Sequence, residues 1–349
     1  MFNQFLFLGL GSIGMRHIQN LVRLRPDVSI AGYDPSEEQS KTACLKIPSL
    51  KLIAASEADL KKFLKENASQ YLAVFICTPS AYHAVQLEQL IEFGWRNIFV
   101  EKPLCMSASE LRSIGTLVDR NHVKLMVGCN FRYDTGLMFL KRQLESGVPI
   151  SRVASVHAEF GYHLPEWRPG RNYKENYSAL KRLGGGVLFD RIHELDYISY
   201  LFGTIREISG FTAKNSSLAI DVEDTAEIIC RFDNGILGHI HVDYLSPFYV
   251  CRMKLVGEDG VLEWNFDHSQ VIFRKGKEGI SEKLFEEKTH DVNMMYTREL
   301  ADFLDFISSN NRSYDEFFLS AAHVTEKLLE VKESNVMTGA HYGNHANPS

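Results

Sequence analysis

Phe5-Leu6-Phe7-Leu8-Gly9-Leu10-Gly11-Ser12-Ile13-Gly14, near the start of the chain, is the stretch that decides the fold of its first part. Four consecutive apolar residues predict a buried strand, and glycines follow at once in the G-x-G-x-x-G spacing. The amphipathic pattern that continues to Leu24 predicts a helix directly after the glycines. In this setting Gly9 permits a tight turn, Gly11 lets a pyrophosphate approach the backbone, and Gly14 lets helix and strand pack closely. The stretch therefore predicts a dinucleotide site.

An acidic residue, Asp34, ends the next apolar strand twenty residues after Gly14. A carboxylate at this position accepts hydrogen bonds from the adenosine ribose and repels a 2′-phosphate. No arginine follows it, so the sequence favours NAD over NADP as the cofactor. The alternative is that Asp34 only caps the following helix. The predicted cofactor contacts of this region are Gly9, Gly11, Ser12, Ile13, Gly14 and Asp34.

The bulk composition limits the other functions that the chain could have. Its 349 residues suit two domains, and 45% of them are hydrophobic. The net charge of −6 and the lack of a dense Lys/Arg block argue against nucleic acid or an anionic membrane as a partner. Six scattered cysteines without a C-x-x-C pair indicate free thiols. With no signal peptide pattern and no apolar run of membrane-spanning length, we expect a cytoplasmic protein.

Strand and helix patterns alternate over residues 1–128, which predicts an α/β Rossmann domain with a doubly wound parallel sheet. After the first strand–helix–strand unit, the predicted strands are Lys51–Ala54, Tyr71–Cys77, Ile98–Val100 and Val123–Gly128, and the helices are Glu57–Lys65, Ala81–Phe93 and Ala108–Arg120.

The pattern changes over residues 129–333, where several extended segments joined by short turns predict an α+β domain with an open-faced, mainly antiparallel meander. Its predicted strands are Val153–Phe160, Ile205–Ala213, Thr225–Phe232, Ile236–Tyr244, Cys251–Val256, Val261–Trp264 and Val271–Arg274, with helices at Leu137–Leu144, Gly186–Leu201, Arg298–Ser308 and Glu316–Lys332. Residues 334–349, rich in Asn, His and Gly, are predicted to form a disordered tail.

Ligands of doubly wound sheets bind beyond the carboxyl ends of the strands, which here selects Thr78, Pro79 and Glu101-Lys102-Pro103. A lysine at position 102 would project into the cleft beside the nicotinamide. Partial desolvation and the cofactor's cationic ring would lower its pKa there. The alternative is that Glu101-Lys102-Pro103 is an ordinary solvated turn.

A second cluster of reactive side chains follows three glycines, in the segment Gly184–Asp196. On a continuous helix Asp190 and His193, three residues apart, share a face, and a carboxylate beside an imidazole suits a general acid/base. Metal binding is the weaker interpretation, because no third ligand with clear spacing is present. Taken alone, the segment would equally fit a helix cap with a satisfied histidine.

The loop Tyr162–Tyr173, just before this segment, combines aromatic and basic side chains. Aromatic faces stack on sugar rings and arginines bind carboxylate or phosphate groups, so a polyol, sugar acid or nucleotide sugar would suit Trp167, Arg168 and Tyr173. The alternative is a packing or subunit-contact loop. His239, His241 and Asp243 alternate on one strand and share a face that could border the substrate or a subunit interface.

Together these motifs resemble the Gfo/Idh/MocA oxidoreductases, which include glucose-fructose oxidoreductase and inositol dehydrogenase. The resemblance covers residues 1 to about 333. It is carried by Gly9–Gly14, Thr78-Pro79 with His83, Glu101-Lys102-Pro103, Asn130 with Arg132, and Gly184–Asp196. The family implies a Rossmann domain followed by an open-faced sheet through which subunits associate, and hence a homodimer or homotetramer.

The resemblance also implies roles for individual residues. The family's catalytic lysine falls on Lys102 and its acid/base histidine on His193, with Asp190 as the accompanying carboxylate. Thr78, Pro79, His83, Glu101 and Lys102 would complete the cofactor site, and Asn130 and Arg132 would join the substrate site. Many members place the histidine four residues after the aspartate, whereas here the spacing is three. The shorter form occurs in sugar-modifying branches of the family.

The sequence thus predicts an NAD-dependent dehydrogenase that acts on a secondary alcohol of a sugar, polyol or nucleotide-sugar derivative. Either His193 or Lys102 would take the hydroxyl proton. Two alternatives stay open: redox-neutral chemistry with tightly held NAD, and a non-catalytic NAD-bound sensor or regulator. Retention of Lys102, Asp190 and His193 argues against the sensor, which needs no proton-transfer groups.

Overall fold

The computed structural model describes residues 3–277 and 279–337. The predicted tail begins at Ser334, whereas the last helix continues to Met337. The disorder of residues 334–349 stays a prediction. The rest of the predicted tail, residues 338–349, lies outside the described residues.

The first part of the chain forms a six-stranded parallel sheet, which confirms the predicted Rossmann architecture. Its strands, in the spatial order β3-β2-β1-β4-β5-β6, are β1 (Gln4–Leu8), β2 (Ser29–Tyr33), β3 (Lys51–Leu52), β4 (Ala73–Ile76), β5 (Asn97–Glu101) and β6 (Lys124–Gly128). The strand order reverses between β1 and β4. Ligands of such sheets bind at this switch point, outside the carboxyl ends of the strands.

Five helices connect these strands: α1 (Ser12–Leu24), α2 (Glu37–Lys46), α3 (Glu57–Asn67), α4 (His83–Glu92) and α5 (Ala108–Asn121). Helix α1 buries Ile18 and Leu21 against the sheet, as its 3.6-residue periodicity predicts. Three of the other helices begin at a serine whose hydroxyl accepts a backbone N–H of the first turn, namely Ser36, Ser56 and Ser107.

The second part contains an eight-stranded sheet in the order β14-β13-β12-β11-β7-β10-β9-β8. Its strands are β7 (Val153–Gly161), β8 (Ile205–Ala213), β9 (Thr225–Phe232), β10 (Leu237–Asp243), β11 (Val250–Gly257), β12 (Val261–Asn265), β13 (Gln270–Lys275) and β14 (Ile280–Glu286), and its helices are α6 (Thr135–Ser146), α7 (Val187–Asp190) and α8 (His193–Phe202). The predicted mainly antiparallel sheet is confirmed.

Two details of this sheet differ from the prediction. The strands do not form a simple meander, because β7 lies in the middle and pairs in parallel with β10. Helices α7 and α8 separate β7 from the later hairpins, so β10 can return beside it in the same direction. Strand β14 is missing from the prediction. Its residues are largely exposed and its charged side chains break the apolar alternation that identifies a strand.

The last two helices, α9 (Asn293–Ser308) and α10 (Glu316–Met337), pack back across the molecule. In α9, Phe303 is fully buried and its ring centroid lies 5.3 Å from that of Phe75 and 5.4 Å from that of Phe99, both in the Rossmann sheet. Helix α10 places Phe318 in the Rossmann core and Leu328 in the core of the second sheet. These helices therefore connect the two sheets. The domain boundary at residue 128 stays a prediction.

None of the helices in the described ranges has both the length and the apolar composition that a membrane crossing requires.

Candidate active site

The turn between β1 and α1 needs two of its glycines for the protein's own packing. Gly9 has a φ of +94°, and a Cβ there would lie 2.5 Å from the carbonyl oxygen of Cys77. A Cβ on Gly14 would collide with the carbonyl oxygen of Gly9. At Gly11, in contrast, a Cβ would meet no atom within 4 Å. The space in front of Gly11 is therefore open, as close approach of a pyrophosphate requires.

The start of α1 also fits an anionic group. Gly11 is the N-cap residue, and no side chain caps the helix. The first backbone N–H groups of the helix, at Ser12 and Ile13, thus point toward the open space with the positive end of the helix dipole. These residues fit the pyrophosphate of a dinucleotide, which would need no further cation there.

Asp34 is held at the end of β2 by two backbone N–H groups. Its Oδ2 accepts from Leu10 N at 2.8 Å, and its Oδ1 accepts from Ser36 N at 2.9 Å. The cap of α2 is Ser36, whose hydroxyl accepts from Gln39 N. Asp34 therefore ties the glycine turn to β2 rather than capping the helix. Its role toward a ribose stays a prediction.

The loop after β4 contains Thr78, Pro79 and His83. Thr78 Oγ1 donates to Gln86 Oε1 at 2.7 Å, and Pro79 precedes a short 3₁₀ turn. His83 is fully buried, and its ring nitrogens lie 2.7 Å from the carbonyl oxygen of Pro103 and 2.9 Å from that of Thr78. Burial lowers the pKa of His83. His83 thus joins the loops after β4 and β5. Contacts of Thr78, Pro79 and His83 with the cofactor stay predictions.

His17 is a residue that our sequence analysis missed. It lies on the buried face of α1, and its Nε2 is 2.7 Å from Oε1 of Glu101, the residue just before Lys102. The His17 side chain is fully buried and that of Glu101 is 12% exposed. This contact ties the helix at the predicted pyrophosphate site to the strand end that carries the lysine. Its sequence signal is a histidine three residues after the last glycine of the turn.

Lys102 reaches from the Rossmann sheet to the end of α7. Its Nζ donates to the backbone oxygen of Asp190 at 2.7 Å and to Asp190 Oδ1 at 3.1 Å. Burial by itself lowers the pKa of Lys102, but its interactions with Tyr177 and with the Asp190 carboxylate outweigh burial and raise that pKa. Our prediction of a lowered pKa is therefore wrong for the protein by itself, because the lysine has an anionic partner.

The Asp190 carboxylate is surrounded by donors. Besides Lys102, it accepts from the hydroxyls of Tyr177, Ser178 (2.7 Å) and Tyr244 (3.0 Å). Burial alone would raise the pKa of Asp190, but Lys102 and the hydroxyl donors outweigh it and keep that pKa below its usual value. The Asp190 carboxylate is thus a buried anion whose hydrogen bonds come from protein donors instead of water.

Asp190 and His193 do not form the predicted pair. The helix predicted over Gly186–Leu201 is interrupted at Arg191 and Ile192, so that Asp190 ends α7 and His193 begins α8. The i, i+3 geometry of a continuous helix is lost there. The interruption leaves the backbone oxygen of Asp190 free for Lys102.

His193 is buried and electrically neutral. Its Nδ1 has no hydrogen-bond partner among the described residues, and its ring lies against Phe131 at a centroid distance of 4.8 Å. Burial, followed by the positive charges of Lys102 and Arg191, holds the pKa of His193 well below 6.5. An uncharged imidazole with an unsatisfied nitrogen is chemically able to accept a proton.

Arg191, also absent from our sequence predictions, supplies the second positive charge. Its guanidinium pairs with the buried carboxylate of Glu194 and lies 3.4 Å from the ring centroid of Phe160. In the part of the chain that the structure describes, its Nε has no hydrogen-bond partner. These contacts fix the position of the Arg191 charge, which helps to lower the pKa of His193.

Arg132 and Asn130, which the sequence assigned to the substrate, follow β6. Arg132 makes a two-pronged ion pair with buried Asp196, through Nε at 2.9 Å and through Nη2, and Nη2 also donates to Ser320 Oγ. This guanidinium is already satisfied by protein groups. Asn130 is 5% exposed. Substrate contacts by either residue stay predictions.

The loop after β7 brings aromatic side chains to the Asp190 cluster. The ring of Trp167 stands perpendicular to that of Tyr244, with centroids 5.2 Å apart. Arg168 Nη1 donates to Asn176 Oδ1 at 2.9 Å. Tyr173 is turned toward Ala219, whose N–H its hydroxyl accepts at 3.2 Å. Trp167 and Arg168 are thus close to the Asp190 cluster, and Tyr173 supports the loop.

Comparisons with known proteins agree with this architecture. Residues 3–129 match the family model described as an oxidoreductase family with an NAD-binding Rossmann fold, and residues 138–263 match that of the GFO/IDH/MocA C-terminal domain. The chain is similar to the scyllo-inositol 2-dehydrogenase (NAD(+)) of Bacillus subtilis, with 24% identity over 86% of this chain and 84% of the relative. It is also similar to the myo-inositol 2-dehydrogenase of Thermotoga maritima, with 24% identity over 72% of each chain.

Among solved structures, an inositol dehydrogenase homologue from Azotobacter vinelandii in complex with NAD⁺ superposes with a TM-score of 0.81. It is 15% identical and the match covers 96% of this chain and 95% of that chain, so it shows a shared fold. The two family models together cover the whole Rossmann sheet and strands β7 to β11 of the second sheet. The chain therefore belongs to the Gfo/Idh/MocA family of NAD-binding oxidoreductases.

Proposed function

We propose that this protein is an NAD-dependent dehydrogenase that oxidises a secondary alcohol of a sugar, polyol or nucleotide-sugar derivative. The observation that carries the proposal is the contact of Lys102 with Asp190, beside the neutral imidazole of His193. This pair of groups lies beyond the carboxyl end of β5, at the edge of the sheet where the glycine turn fits a dinucleotide. Inositol dehydrogenases among the relatives support a sugar-like substrate.

The charges of the site suggest which residue does what. Bound NAD supplies the hydride acceptor. Lys102 keeps its proton because its pKa is raised, so it stabilises negative charge on the substrate oxygen and is not the base. His193 is neutral and accepts the hydroxyl proton. Asp190 holds Lys102 in position. In ketone reduction the same groups act in reverse.

The two alternatives make different demands on these groups. Redox-neutral chemistry with tightly held NAD would use the same lysine and histidine, and cofactor retained through purification without net NADH formation would favour it. A non-catalytic sensor would not need a buried lysine, aspartate and unsatisfied histidine at one point. The structure of the cluster therefore favours an enzyme.

We further propose that the exposed face of the second sheet associates with another copy of the chain. Phe211 and Ile229 on this face are 68% and 63% exposed. Beside them, Glu227 contacts both His239 and His241, and His241 contacts Asp243. Exposed apolar side chains among charged pairs are typical of subunit interfaces. A cytoplasmic location remains part of the proposal and is supported by six free cysteines.

Replacement of the lysine tests the proposed chemistry. We expect Lys102→Met to lower kcat for NADH formation by about 10²-fold or more, because the cation that stabilises the substrate oxygen is lost. The substrate for this assay is identified first, by screening sugars, sugar acids and nucleotide sugars for NADH formation. Lys62→Met, an exposed lysine on α3, is the matched control and should keep full activity. Full turnover by Lys102→Met would rule out this mechanism.

The pH profile tests the role of His193. Because its pKa lies well below 6.5, the imidazole gains a proton only at more acidic pH. We expect kcat/KM to stay level as the pH falls from about 8 to 6.5 and to decline below that, as the base becomes protonated. In His193→Asn the acidic decline should disappear along with most of the activity. A decline that persists unchanged in His193→Asn would assign the base elsewhere.

Cofactor preference tests Asp34. We expect NADH to bind about tenfold more tightly than NADPH, because the carboxylate repels a 2′-phosphate. Asp34→Ser should reduce this preference, chiefly by lowering the affinity for NADH. Quenching of tryptophan fluorescence by each nucleotide measures both affinities. Tighter binding of NADPH by the unaltered protein would contradict the proposed role.

A substitution on the exposed face of the second sheet tests the proposed subunit contact. We expect the purified protein to have the mass of at least two chains in light scattering. Ile229→Lys should raise the dissociation constant about tenfold or more, because it places a charge in the proposed interface. Leu45→Lys, at an exposed leucine on α2, is the control. A monomeric parent protein, or an assembly that Ile229→Lys leaves intact, would contradict the proposed face.

A further inference from the structure

The segment between β7 and the triple glycine is basic, although the protein as a whole is acidic. Residues 162–183 contain five basic and two acidic residues, a local net charge of +3, in a chain whose net charge is −6. The basic residues are Arg168, Arg171, Lys174, Lys181 and Arg182, and the acidic ones are Glu166 and Glu175. This segment covers one side of the Asp190 cluster through Tyr177 and Ser178.

The positive charges of this segment are not neutralised by the protein. In the part of the chain that the structure describes, none of the five basic side chains forms an ion pair with a carboxylate. The buried cations around the site behave differently. Lys102 pairs with Asp190, Arg132 with Asp196, and Arg191 with Glu194. The five basic residues of the segment thus differ from the buried cations of the site, each of which has a carboxylate partner.

Arg168 is a basic residue of this segment whose charge acts on the Asp190 cluster. Its charge lowers the pKa of Tyr177, although burial and Asp190 raise that pKa overall. Tyr177 in turn donates to the Asp190 carboxylate that holds Lys102. Trp167, the preceding residue, packs on Tyr244, another donor to Asp190. Arg168 is thus separated from Lys102 by the Tyr177–Asp190 pair.

The guanidinium of Arg168 has donors to spare. Arginine carries five N–H donors in a planar fork, and here one nitrogen is oriented by the neutral side-chain oxygen of Asn176. Such a half-buried, fixed and uncompensated guanidinium is suited to two parallel hydrogen bonds with a carboxylate or phosphate. The pyrophosphate of a dinucleotide is not the anion expected at Arg168, because the residues that fit it lie in the glycine turn between β1 and α1.

We propose that the substrate carries an anionic group, a carboxylate or a phosphate, which Arg168 binds while the reacting hydroxyl lies at Lys102 and His193. This inference rests on the proposed dehydrogenase function and narrows its substrate class to sugar acids, sugar phosphates and nucleotide sugars. An uncharged polyol would leave the positive segment without a counter-charge. The remaining basic residues of the segment raise the local potential and attract the anion.

Binding to the NADH-loaded protein tests this inference with four probes: glucose, glucuronate, glucose 6-phosphate and UDP-N-acetylglucosamine. Calorimetry should show that at least one anionic probe binds about tenfold or more tightly than glucose, with an affinity that falls as NaCl is raised. A preference for glucuronate identifies a carboxylate, and a preference for either of the other two identifies a phosphate.

The variant Arg168→Gln separates this contact from general effects on folding. It should lower the affinity for the preferred anionic probe about tenfold or more, and it should leave the affinities for glucose and for NADH unchanged. Arg142→Gln, at an exposed arginine of α6 with no ion pair among the described residues, is the matched control. It should change none of these affinities.

Two results would overturn the inference. In one, no anionic probe binds more tightly than glucose. In the other, Arg168→Gln lowers the affinities for glucose and for the anionic probe equally, or changes neither affinity. Failure of the proposed dehydrogenase function is distinguishable, because it would appear as the absence of net NADH formation from every substrate screened, whatever the affinities of the four probes.

Discussion

The burial of one carboxylate, that of Asp190, organises the catalytic half of this protein. Removing an ion from water costs several kcal/mol unless donors replace the solvent, and here an ammonium and three hydroxyls do so. The donors come from the Rossmann sheet, the loop after β7 and the end of β10. Lys102 is therefore oriented by a residue 88 positions away, and the two parts of the chain meet where the chemistry is proposed.

The cofactor half depends on contacts of a different kind. His17 links α1 to Glu101, and His83 links the loops after β4 and β5. Both histidines are fully buried and join neighbouring elements through these contacts. A contact of His83 with the cofactor stays a prediction. Because Glu101 immediately precedes Lys102, the glycine turn and the lysine are parts of one rigid edge. Arg168, which has no ion pair among the described residues, is oriented by Asn176 beside the Asp190 cluster, and the proposed anionic substrate rests on this arginine.

The features that could be predicted were those with a local cause. The glycine turn, Asp34 and the alternation of strands and helices follow from backbone conformation and periodicity within about thirty residues. The Asp190–His193 pair was wrong because it assumed a continuous helix, and no glycine or proline in the sequence marks the interruption at Arg191. The parallel pairing of β7 with β10 was missed because it depends on a connection through two helices. The raised pKa of Lys102 was missed because its partner is remote in sequence.

By itself, then, the sequence determined a Rossmann sheet with a dinucleotide turn, a mainly antiparallel second sheet, and the residue types needed for hydride-transfer chemistry. The tertiary structure alone decided which of these residues meet. It paired Asp190 with Lys102 and Arg132 with Asp196. Among the described residues it left Nδ1 of His193 without a hydrogen-bond partner and Arg168 without an ion pair. The physical reason is that charge state and hydrogen bonding depend on burial and on partners across the fold. Neither can be read from spacing along the chain.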